Sequence, residues 1–164
     1  MKKYSNYLAP IVLFTVFLLD AQISTLLSNL APSTVSITSH LLLIVGMYII
    51  DKINLTYTII LFSMLGIVYD IYYLNILGLS TTLFPLIIYM VYYFTTNVHL
   101  NRWTSLMILG VMIFGFEFTS FVLARLFQLT NLSMFIFVVY KLLPSLLYNL
   151  FILLIFYPLF KNDL

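Results

Sequence analysis

Residues 66–80, GIVYDIYYLNILGLS, place one carboxylate, Asp70, at the end of an almost uninterrupted apolar run. Gly78 follows eight residues later, and beyond it LSTTLFP opens a second apolar run. A glycine between two such runs reads as the turn at which the chain re-enters the same apolar medium. A lone carboxylate in these surroundings requires a reason, and three kinds compete: catalysis, transport and assembly.

The rest of the sequence identifies the medium. Of 164 residues, 63% are hydrophobic and 7% charged, and the mean hydropathy is +1.13, far outside the range of a soluble globular domain. The composition is that of an all-α integral membrane protein. A hydrocarbon core of about 30 Å takes roughly 20 helical residues per crossing, so the chain holds about five or six spans and no soluble catalytic domain. The net charge of +2 comes from scattered cations, which excludes a nucleic-acid surface. The absence of Cys removes disulfides, thiolate metal sites and thiol redox chemistry.

Apolar stretches separated by short polar breaks predict six transmembrane helices in a single membrane domain over residues 1–164. They run from about Leu8 to Leu27, Ser39 to Ile50, Leu55 to Tyr69, Ser80 to Thr95 and Thr104 to Ala124, with the sixth inside Met134 to Phe160. The start MKKYSNYLAPIVLFTVFLLDAQIS resembles a secretory signal, but hydrophobic segments continue to the C-terminus, so it reads as an uncleaved first helix. The second and third helices are short and read as a hairpin around DKIN, while SNLAPSTVSITS reads as a surface loop. With six spans and the N-terminus inside, Lys2, Lys3, Lys52, Arg102 and Lys161 are all cytoplasmic and Arg125 alone lies near an outer end. Five spans would put Lys161 outside.

The charges inside the spans carry the functional question. A carboxylate at the position of Asp20 costs roughly 2.5 to 3.5 kcal/mol on insertion scales. Twelve Leu, Ile, Val and Phe in that helix, each contributing roughly −0.3 to −0.6 kcal/mol at best, outweigh the cost. Asp20 is therefore expected to face protein, with Ser24 on its side of the helix. Glu117 is in the same position in the fifth helix, with Ser120 beside it. Lys141, Ser145 and Asn149 fall at i, i+4 and i+8 and form a polar stripe, with Pro144 bending the helix. The expected pairs join Asp20, Asp70 or Glu117 to Arg125 or Lys141. A proton relay would also use buried carboxylates, as would an acid and base converging on one cavity. HExxH, GxSxG, P-loop and GxGxxG signatures are absent, and His40 and His99 lack ligand spacing, reading as interfacial residues. No metal or cofactor is implied.

Gly66, Asp70, Leu77 and Gly78, followed by an apolar helix, resemble the core motif of the MreD family. FLLDAQIS, with Asp20 inside it, resembles the LLD feature of Gram-positive members. Tyr72 to Asn75, YYLN, is bulkier than the small residues many members carry between the Asp and the Gly. The resemblance implies a non-enzymatic component of the rod, or elongation, complex of peptidoglycan synthesis in the bacterial plasma membrane. It implies association with the bitopic protein MreC, and through it with a glycan polymerase and a class B penicillin-binding protein. It also implies a fold similar to the substrate-binding subunits of energy-coupling-factor vitamin transporters, and such a subunit is the main alternative. That reading needs small residues at four-residue spacing on the first helix, but Ala9 is followed at i+4 by Leu13 and Ala21 by Thr25. A transporter of lipid-linked precursors is the other alternative, and only Arg125 and Lys141 would serve its headgroup.

Overall fold

A computed structural model describes residues 2–32, 34–50, 52–74, 78–98 and 101–161. The described chain is helical and contains no strand. In order it forms α1 (Lys2–Leu30), α2 (Leu41–Ile49), α3 (Leu55–Tyr69) extended by a π turn (Asp70–Leu74), α4 (Leu79–Asn97) and α5 (Arg102–Leu126). A last rod is built from α6 (Met134–Phe137), a π turn (Val138–Leu142) and α7 (Leu143–Lys161). Five helical stretches among the described residues are long and apolar enough to cross a bilayer: 8–30, 55–72, 79–97, 102–126 and 134–158. The chain is a multi-pass membrane protein. Its lipid-facing helix sides are bare hydrophobic surface, with Ile11, Met64, Tyr93, Met107 and Phe151 each about 60% exposed or more.

The expected second span has a different construction. At nine residues α2 rises only about 14 Å, less than half the hydrocarbon thickness. The segment before it supplies the rest. Ser28 Oγ donates to the Ile37 carbonyl, Ser39 N–H donates to Ser24 Oγ, and Leu41 N–H donates to Asp20 Oδ1. As residues 37 to 41 advance, their partners on α1 step back from 28 to 20, so the chain descends antiparallel to α1 in extended form. Eight residues of helix and four extended steps both cover about 12–13 Å. The crossing is half extended and half helical. SNLAPSTVSITS therefore does not read through as a surface loop: Ser39 and His40 are buried and Val35 to Thr38 are half-buried.

Helix faces follow from spacing. Ala9, Leu13 and Phe17 at i, i+4 and i+8 bury one side of α1, and Ser105, Leu109, Met112, Ile113, Phe116 and Glu117 bury one side of α5. Phe84 stacks on Phe116 at 5.2 Å between α4 and α5, and Phe62, Met47, Ile88 and Leu153 complete the core around α2. Asn54 accepts from Thr56 N–H at the start of α3, and Asn101 with Thr104 forms a capping box on α5, which fixes both starts where sequence places them within a few residues.

α3 and α4 pack closely at Gly66. A Cβ on Gly66 would stand 2.6 Å from the Ser80 carbonyl oxygen and 2.7 Å from Thr81 Cα, both backbone atoms that cannot swing aside. We expect Gly66→Ala to destabilise the protein by about 1–3 kcal/mol, the usual cost of overpacking. Gly115→Ala is the control, because its Cβ meets nothing within 4 Å and alanine is the better helix former. Thermal melting of the two purified variants in mild detergent checks this: a fall in Tm for the first and none for the second.

Candidate functional site

The polar residues of α1, α5 and α7 converge on the extended segment. A backbone in hydrocarbon must find hydrogen-bond partners inside the protein, because no water is there to supply them. Ser36 N–H donates to the Tyr140 carbonyl at 2.9 Å, an acceptor that is free because Pro144, four residues on, has no N–H to offer it. Thr38 N–H donates to Ser145 Oγ at 3.0 Å. The Thr38 carbonyl accepts from Asn149 Nδ2 at 2.9 Å, and His40 N–H donates to Asn149 Oδ1 at 2.7 Å. Asp20 accepts from Leu41 N–H at 2.9 Å and Leu42 N–H at 3.2 Å, capping α2 from another helix. These side chains take the place of the neighbouring strand that an extended segment in a sheet would have.

Glu117 closes the cluster. Its side chain is 3% exposed. Thr38 Oγ1 donates to Glu117 Oε1, and His40 Nε2 lies 3.0 Å from the same oxygen. A carboxylate only accepts, so the ring proton is on Nε2. Lys141 Nζ stands 3.3 Å from Glu117 Oε2, with its own side chain 38% exposed. His40 also packs edge-on against Phe116 at 5.4 Å. It is buried at the centre of the bundle, not interfacial, and His99 lies outside the described residues.

Asp70 performs the same task elsewhere. Fully buried, it accepts from Gly78 N–H at 2.8 Å, Ser80 N–H at 2.7 Å, Thr81 N–H at 3.1 Å and Thr81 Oγ1 at 2.8 Å. It caps the N-terminus of α4, whose partial positive charge favours an anion. Gly78 sits at φ +116°, a left-handed backbone conformation that an L side chain would strain although the space around it is open. Gly66 lets α4 approach, Asp70 one turn later binds its free N–H groups, and Gly78 makes the turn. Leu77 lies outside the described residues.

Of the expected ion pairs, the structure brings together Glu117 and Lys141. Asp20 and Asp70 are held by backbone N–H groups instead. Arg125 is exposed in the last turn of α5, where a cation suits the helix C-terminus, and among the described residues it bridges to none of the three carboxylates. Thr38 and His40 are the functional residues that sequence reasoning missed. The signal that could have found them is numerical: three intramembrane carboxylates stand against two intramembrane cations, so some must have neutral partners.

Two adjoining cavities share Thr38, His40, Tyr69 and Phe116 in their walls. The smaller, about 120 Å³, reaches Asp20 and Ser24, and the larger, about 450 Å³, reaches Glu117, Lys141 and the 129–132 loop. Among the described residues no group of three or more His, Cys, Asp or Glu side chains could hold a metal ion.

A family model described as rod shape-determining protein MreD matches residues 1–162. The Cell shape-determining protein MreD of Streptococcus pneumoniae (strain ATCC BAA-255 / R6) is 33% identical over 145 residues, which is 88% of each chain. No solved structure matches. On the strength of both sequence matches, this chain belongs to the MreD family of rod shape-determining proteins.

Proposed function

We propose that this protein is a non-enzymatic membrane scaffold that helps determine cell shape, holding MreC and, through it, peptidoglycan synthases of the elongation machinery. The observation that carries this reading is the use to which the buried polar groups are put. Asp20, Asp70, Ser145 and Asn149 are all engaged in holding backbone, which suits them to keeping a surface in shape. The groove between α4 and α5, about 390 Å³ and lined by Leu86, Met90, Met107, Val111 and Gly115, is the surface offered to a partner's transmembrane helix. Gly115 at its floor lets another helix approach closely. The protein sits in the bacterial plasma membrane with both termini cytoplasmic. Lys52 and Arg102 precede α3 and α5 on one face and Arg125 ends α5 on the other, as retention of loop cations requires.

The test is affinity purification of the tagged protein from native membranes in mild detergent, with mass spectrometry of what accompanies it. MreC is expected at near-stoichiometric level, and Gly115→Phe, which fills the groove, is expected to lower its recovery at least tenfold with the tagged protein still folded. Recovery of a transporter's coupling protein and ATPases in place of MreC would sink the scaffold reading.

A further inference from the structure

The larger cavity is left unexplained by a scaffold. It lies where the first residues of α4, Leu79 and Ser80, meet the last two turns of α5 around Ser120. The recess is roofed by Leu129, Thr130 and Leu132 and walled by Phe121, Phe137 and Phe116. Its volume of about 450 Å³ is that of a small-molecule site. Lys141 lines it, with its side chain more than a third exposed at membrane depth. An ammonium has three N–H donors and Glu117 takes one. Ser80 and Ser120 also belong to the wall, but their hydroxyls are buried away from the cavity surface. The carboxylate oxygens beside Lys141 are engaged: Glu117 Oε1 holds Thr38 and His40, and Oε2 holds Lys141.

We propose that this cavity binds an anionic amphiphile, its carboxylate or phosphate head at Lys141 and its apolar body between Phe121, Phe137 and the 129–132 loop. The N–H donors of Lys141 that Glu117 leaves free select an accepting head, and the exposed positive charge makes that head anionic. The aromatic and leucine walls select the body. The site does not depend on the MreC reading, since no residue of the α4–α5 groove is required.

The experiment is calorimetric titration of the purified full-length protein in dodecyl maltoside with two probes, sodium oleate and 1-oleoyl lysophosphatidate, with oleoyl lysophosphatidylcholine as the zwitterionic control. Saturable binding of either anionic probe, at least tenfold tighter than the control, is the expected result. The tighter of the two identifies the head as carboxylate or phosphate. Lys141→Gln is expected to weaken that probe tenfold or more. Because Lys141 also touches Glu117, a further variant keeps the result interpretable. Ala124→Phe should occlude the cavity and abolish binding. Equal binding of all three probes, no saturable binding at all, or full affinity in Ala124→Phe would overturn the proposal.

Discussion

Asp70→Ala protein should be recovered from membranes at a small fraction of the wild-type level, with the loss tracing to the start of α4. The substitution leaves Gly78, Ser80 and Thr81 N–H groups without an acceptor at a site where Asp70 itself has no solvent exposure. An unsatisfied buried donor costs about 1–3 kcal/mol, and the Ser80 N–H is such a donor, while the part-exposed Gly78 and Thr81 N–H groups add less. Asp70→Asn separates geometry from charge. Its amide oxygen still accepts, but its NH₂ group faces N–H groups that also donate, so an intermediate level is expected. The measurement is the amount of monodisperse protein per cell, with the melting temperature of what is recovered. Wild-type amounts of Asp70→Ala would mean that α4 starts correctly without its cap. If MreC co-purifies as proposed, its loss in proportion to loss of folded protein would place Asp70 in assembly through fold, and greater loss would place it in the contact itself.

The stretch that carried the family motif was the most legible part of the chain because its physics is local. Gly66, Asp70 and Gly78 lie within thirteen residues, and the turn they make joins two apolar runs that can only be helices in a bilayer. The stripe of Lys141, Ser145 and Asn149 was legible for the same reason, since helical periodicity places three polar groups on one face without knowledge of what they meet. What they meet was not legible. Val35 to His40 has the composition of a surface loop, and nothing in its own residues states that its N–H groups will be satisfied by α1 and α7, over a hundred residues away in the second case. Composition reports where a segment could live in water. Its partners decide whether it can live in lipid. The same limit applied to Asp20, whose partners are the backbone of Leu41 and Leu42, groups that every residue type possesses and that therefore leave no mark in sequence. Counting helices long enough to span finds five. The crossing made by residues 35–49 is hidden from such a count because half of it is not helix.

The second large effect concerns Glu117, and it decides between packing and proton relay. Glu117→Leu should cost about 3–5 kcal/mol, as removal of one partner from a buried polar network does. Thr38, His40 and Lys141 all lose their acceptor, and the first two fix the extended crossing. Lys141→Met should cost less, about 1 kcal/mol, because its side chain is 38% exposed and solvent screens the pair, while Glu117 retains Thr38 and His40. The double substitution should cost less than the sum, since Lys141 is no longer left facing a missing anion. Melting of the four proteins in one detergent measures this, and strict additivity would show the 3.3 Å contact to be without energetic consequence. Glu117→Gln then addresses function. The amide keeps an acceptor for Thr38 and His40 but cannot release or take up a proton. Cells relying on this variant should keep their shape as long as its level in the membrane matches that of wild type. A scaffold needs the hydrogen bonds of Glu117, whereas a relay needs its proton, so misshapen cells at a normal protein level would assign the buried carboxylate to transport.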